Sequence, residues 1–153
     1  MLEGSVLISS QNENLITLII LVIFMENEGE NIPLSEEDVG KVKMILNEKL
    51  FEDFEIHRHY FLSKFGDFVS DIPRHGIGLI ELKEIYEKKD KIKRGFKRKT
   101  AKGYLYTICY DESRNVFVKV GYILDESPMK IFSAIRIFRN LEKSVNRKYG
   151  LSV

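Results

Sequence analysis

Near residue 92 the hydrophobic rhythm of the chain changes from a helical period to an alternating one, and that change limits the folds available to it. Residues 92–99, 104–110 and 116–123 are β-prone, broken by Gly103 and by the DESRN stretch at 111–115. Turn-forming residues between alternating runs mark hairpins. Successive strand side chains point to opposite faces, so Tyr104, Tyr106, Ile108 and Tyr110 share one face of the middle segment, with Leu105, Thr107 and Cys109 on the other. An antiparallel three-stranded meander over about 92–123 is the economical arrangement.

The flanking segments read as helices. Ser35 is placed to cap a first helix over about 36–50, with Glu36, Glu37 and Asp38 in its first turn and Val39, Val42, Ile45, Leu46 and Leu50 at helical spacing. Phe61, Leu62, Phe65, Phe68, Val69 and Ile72 suggest a second helix ended by Pro73. RHGIG at 74–78 reads as a turn, and Leu79, Leu82, Ile85 and Tyr86 mark a third helix. Ser127-Pro128 then opens a long C-terminal helix of about 22 residues, carried by Met129, Ile131, Phe132, Ile135, Phe138, Leu141 and Val145 and stopped at Gly150. The expected class is α+β: N-terminal helices, the meander, and a long final helix whose apolar stripe suits a dimer contact.

The N-terminus is treated separately, as an extension at 1–25 preceding a single α+β domain at 26–153. Residues 15–25 (LITLIILVIFM) are an apolar run of eleven with no Lys or Arg before it. As a helix it rises about 16 Å, against a hydrocarbon core of about 30 Å, and it lacks a charged leader region. A buried strand, pairing with Ser5–Ser9, is one reading of it; a natural start at Met25 is another; a membrane anchor is the least favoured. A chain of 153 residues with 44% hydrophobic and 31% charged content fits one ordinary globular domain, burying roughly 70% of its unfolded surface. One cysteine, Cys109, allows neither an internal disulfide nor a cysteine cage for metal, which favours a cytoplasmic setting without cofactor. One Gln, no Trp and abundant Lys, Glu and Ile resemble thermophile-like usage.

Charge carries the functional signal. Lys88–Lys102 (KKDKIKRGFKRKTAK) holds nine Lys or Arg and one acid, Asp90, a local charge of +8 in a chain whose total is +1. Such a cluster favours a polyanionic partner, most simply nucleic acid. Residues 26–56 carry ten acids against Lys41, Lys43 and Lys49, either as a solvated face or as a shield over the basic run. Nucleotide-binding glycine loops, a GxSxG elbow and an HExxH motif are all lacking. Cys109 reads as an inert core thiol, and His75 as a loop residue. There remain His57 and His59, two apart and on one face if in a strand, as candidate general acid or base. Lys93 and Lys97 would share one strand face and Arg94 and Arg98 the other. With Lys102 and an aromatic platform at Tyr106 or Tyr110, these types suffice for RNA binding and for metal-independent cleavage, in which the 2′-OH is the nucleophile. A solvated basic edge strand is the plain alternative.

The order of helix, Arg74-His75-Gly76-Ile77 turn, helix, KRGFKRK strand and GYLYTICYDESRNVFVKVGYI hairpin, over roughly 55–124, resembles the RelE/ParE-like toxins and, more broadly, the barnase–colicin–RelE class of small endoribonucleases. That resemblance implies a toxin–antitoxin ribonuclease. It implies phosphate contacts by Arg94 and Arg98, proton transfer by His57 or His59, an active residue at Tyr122, and an antitoxin or other acidic protein as partner. The N-terminal extension and long final helix depart from the family pattern. Two other readings stand beside it: a winged helix-turn-helix DNA-binding regulator, with Leu79–Asp90 as recognition helix and the basic hairpin as wing, and a non-catalytic module whose basic strip binds an acidic protein.

Overall fold

The computed structural model describes residues 30–64 and 68–150; the expected N-terminal strand at 1–25 lies outside them. The elements are β1 (Asn31–Pro33), α1 (Glu36–Asn47), β2 (Glu55–Ile56), β3 (Phe61–Lys64), β4 (Phe68–Pro73), α2 (Leu79–Glu87), β5 (Ile92–Thr100), β6 (Gly103–Ser113), β7 (Val116–Ile123), β8 (Lys130–Ile137) and α3 (Leu141–Tyr149). The class is α+β, built on a six-stranded mixed sheet in the order β1-β5-β6-β7-β8-β2, with β3 and β4 forming a separate hairpin. All neighbours in the large sheet run antiparallel except β2 and β8.

This corrects the expected architecture in three places. The segment expected as a second helix is the β3–β4 hairpin, with Phe61 opposite Pro73. The long C-terminal helix does not exist: Lys130–Ile137 is β8, and only Leu141–Tyr149 is helical. Its β-branched Ile131, Ile135 and Ile137 suit a pleated surface, and pairing with β7 satisfies a backbone edge that would otherwise be open. Asn140 caps the short helix by accepting the Lys143 N–H at 3.0 Å, and Gly150 ends it at φ 64°. Finally, β5, β6 and β7 are interior strands of the larger sheet, so the basic hairpin does not protrude as a wing.

The sheet is buried on both faces by different means. Residues directly opposite across antiparallel strands share a face, and the register sets Ile108 against Val120, Tyr110 against Val118 and Tyr106 against Tyr122. These side chains join Val39, Val42 and Leu46 of α1 and Leu82, Ile85 and Tyr86 of α2 in the main core. Gly95 lets this layer close, since a Cβ there would sit 2.9 Å from Leu34 Cδ1. On the other face Phe96, Cys109 and Phe117 pack under Leu141 and Val145 of α3 in a second, smaller core. Of the apolar stripe expected over 129–145, Ile131, Leu141 and Val145 are buried within the chain, whereas Phe138 is exposed. Burial pushes the Cys109 thiol up to about 12, consistent with an inert core residue.

Large buried tyrosines place polar atoms inside the main core, and each finds a partner. Tyr86 Oη lies 2.7 Å from Leu46 O and 2.6 Å from Lys49 O, and Tyr60 donates to Ile77 O at 2.7 Å. Tyr110 and Tyr122 share a hydroxyl–hydroxyl bond of 2.5 Å. Removing one hydroxyl of this pair strands the other, at a cost of about 1–3 kcal/mol. Tyr122→Phe should therefore lower stability by that amount in urea unfolding, and the double variant with Tyr110→Phe should lose less than twice as much.

Candidate functional site

Parity divides the basic run. The ladder shifts register between Ile92 and Arg94, so Lys93 is extruded as an exposed bulge residue and does not share a face with Lys97. Lys97 lies opposite Tyr106, on the helix-covered face, with its Nζ 5.1 Å from the centre of the Tyr104 ring. Tyr106 packs against the main core, and burial raises its phenol pKa. Arg94, opposite Cys109, and Arg98, opposite Leu105, occupy the other face. Arg94 is engaged: its Nε lies 3.2 Å from Glu142 Oε1 and its Nη2 2.6 Å from Oε2, a bidentate pair tying α3 to β5. Tyr122 is wholly buried with its hydroxyl on Tyr110, out of reach of a ligand.

Arg98 is different. Its Nε is shut off from solvent yet has no hydrogen-bond partner among the described residues. The side chain lines a cleft of about 540 Å³ that also takes in His57, Arg58, Lys102, Lys130 and Phe132. The cleft opens where the β5–β6 turn meets the β8–β2 edge, beyond the part of the sheet covered by α3. Gly121 keeps its floor low, since a Cβ there would lie 2.8 Å from Ser133 Oγ and 3.6 Å from Leu105 Cδ1. Four cations face two carboxylates, Glu55 and Glu126. Glu126 is paired with Lys130, leaving Arg58, Arg98 and Lys102 without an ion pair among the described residues.

The two histidines meet on the Phe132 ring, not as strand neighbours, and of the two only His57 lines the cleft. Glu55 and His57 donate backbone N–H groups to Met129 O and Ile131 O, both at 2.9 Å, and the chain then tightens into a 3-10 turn over Arg58–Tyr60. His57 caps that turn: its Nδ1 accepts the His59 N–H at 3.0 Å. That bond assigns the proton of the neutral ring to Nε2, so His57 offers a donor to the cleft and has no nitrogen available as a base. His59 stacks on Phe132 with centroids 4.3 Å apart and planes 14° off parallel; His57 meets the same ring at 4.8 Å. Burial, then Lys130, lowers the His57 pKa below its ordinary 6.5. Burial, then Arg74, does the same for His59. Both rings are therefore neutral at pH 7, and His59 is the one suited to accept a proton.

Sequence reasoning missed Phe132, Arg58 and Lys130. Phe132 sits at helical spacing in the sequence, and the others lie outside the conspicuous basic run. Among the described residues no group of three or more His, Cys, Asp or Glu is arranged to hold a metal ion, and no helix is long and apolar enough to cross a membrane.

Lowered histidine pKa values have a sign in stability. Below about 6.5 the unfolded chain binds protons that the folded chain resists, so stability is full above that pH and falls as pH drops through the folded values. The thermal midpoint should decline from pH 7.5 to 5.5, and a His57→Asn, His59→Asn variant, which retains an acceptor at the cap, should decline less. Comparison of the chain with protein-family models, with curated proteins and with solved structures finds no match.

Proposed function

We propose that the protein binds single-stranded RNA in the cleft of Arg98, Lys102 and Phe132, with His59 stacked on Phe132 beside it. The observation that carries this reading is the Arg98 guanidinium, without an ion pair among the described residues, in a cation-rich cleft beside a stacked aromatic pair. Arg98 and Lys102 line the cleft without an ion pair among the described residues, and a bound phosphate would supply the counter-charge. The Phe132–His59 stack offers a flat surface for an unpaired base. Duplex DNA read by α2 has less support, because α2 packs on the main core and the hairpin is held inside the sheet. The acidic first turn of α1 belongs to the other face of the sheet, which argues against its acting as a shield over the cleft.

Metal-independent cleavage is the finer reading, favoured by the neutral His59. There His59 takes the 2′-OH proton, the 2′-oxygen forms a bond to phosphorus, and the bond from phosphorus to the 5′-oxygen breaks. Arg98 and Lys102 balance the phosphorane charge. The leaving 5′-oxygen is protonated from solvent, which recovers a proton from His59, leaving a 2′,3′-cyclic phosphate. Such chemistry matches that of RelE-like toxins, although the helix preceding the Arg74–Ile77 turn in the expected order is a β-hairpin here.

Two measurements test these readings. Fluorescence anisotropy with single-stranded RNA should show Arg98→Ala weakening binding about tenfold and reducing the salt slope by about 0.7, the value for one lost single-strand phosphate contact. No RNA binding by the wild type, with capture of an acidic protein instead, would replace this reading with that of an interaction module. Incubation with RNA in EDTA should yield cyclic phosphate ends that disappear in His59→Ala; intact RNA would limit the function to binding.

A further inference from the structure

The same sheet face carries a second cation-rich recess. Beneath α3 lies a pocket of about 340 Å³, walled by Lys119, Arg139, Arg147 and Lys148. No carboxylate lines it, and none of the four cations has an ion pair among the described residues. They come from three places in the chain: Lys119 from β7, Arg139 from the loop after β8, and Arg147 and Lys148 from the last turn of α3. Their convergence is a product of the fold, invisible as a run in the sequence. Like charges gathered without a counter-charge repel one another, and a bound anion relieves that repulsion. The floor, in contrast, is apolar, formed by Phe96, Phe117 and Leu141, with the Phe96 and Tyr149 rings stacked at 4.9 Å.

We infer that this pocket is a second phosphate site, which takes a phosphate carried on a planar apolar body, as in a nucleotide. The inference extends the RNA reading, because the two recesses adjoin. On β5, Phe96 lines the pocket and Arg98 the cleft; on β6, Thr107 lines the pocket and Leu105 the cleft. Each step is two residues along a strand, about 7 Å, and on one face. A single strand lying across this face passes from the His59–Phe132 platform to the cations around α3.

The ligand chemistry has two sources, a free mononucleotide or a nucleotide within RNA, and the test separates them. Amide NMR spectra of the full chain are recorded with AMP, and RNA affinity is measured for an oligonucleotide of roughly ten residues. Arg147→Glu alters an exposed pocket cation, and Lys143→Glu, exposed on the same helix but outside the pocket, controls for net charge. The expected result is that AMP shifts the amides of Lys119, Ser144 and Val145. Arg147→Glu should then bind the oligonucleotide about tenfold more weakly than Lys143→Glu does. If AMP shifts those amides but the two variants bind RNA equally, the site stands as one for a free nucleotide. AMP shifts confined to Arg98, Lys102 and Phe132, with equal RNA affinities, would overturn the pocket and leave the cleft reading intact. Shifts around α3 with no RNA binding by the wild type would keep the pocket and overturn the RNA reading. No shift anywhere, with no RNA bound, would overturn both.

Discussion

The alternation of side chains along β6 and β7, buried toward both faces, is the constraint on which the rest of the molecule depends. Ile108, Tyr110, Val118, Val120 and Tyr122 point into the main core, and Cys109 and Phe117 into the smaller core under α3. A one-residue slip would exchange the two sets, so the register is strongly specified. The helix-covered face is closed along these strands. The other is closed only as far as α3 reaches, and the Arg94–Glu142 pair fixes the near end of that helix. What remains open is the end of the sheet at the β5–β6 turn and the margin of α3. Both are lined by cations.

Parity therefore gives the basic run its meaning. Lys97, Arg94 and Arg98 differ by one to four positions, yet one edges the helix-covered face, one is an internal clamp and one faces a cleft without an ion pair among the described residues. Density of charge proposes a polyanion; only the ladder register says which cations are available to it. The fold also adds cations from elsewhere, Arg58, Lys119, Lys130, Arg139, Arg147 and Lys148, so the surface that matters is only partly the run that attracts attention in the sequence.

How far the sequence was legible follows from which residues fit one period alone. At 104–110 the tyrosine alternation fits only a strand, and β6 covers it. At 36–47 the Ser35 cap and the spacing of Val39, Val42 and Leu46 fit only a helix, and α1 results. At 129–138 the apolar residues fit helical spacing, and the register shift at Phe132 sets Ile131 and Ile135 on opposite faces of β8, so the plain alternation that marks a strand is broken. What decides is the unpaired edge of β7, which belongs to tertiary structure. The same ambiguity hid the β3–β4 hairpin, whose apolar residues also sit at helical spacing. The candidate site inherited the error: with Phe132 placed in a helix, nothing indicated that His57 and His59 would meet on its ring.

The central claim is that a single strand of RNA lies on the sheet face shared by Arg98 and Phe132. Photo-crosslinking of 4-thiouridine RNA to the full chain, with the modified residues mapped by mass spectrometry, tests it most directly. The account predicts crosslinks to His57, His59 and Phe132, extending to Tyr149 for longer strands. Crosslinks confined to the opposite face, at Lys97 or the exposed side of α1, would contradict it.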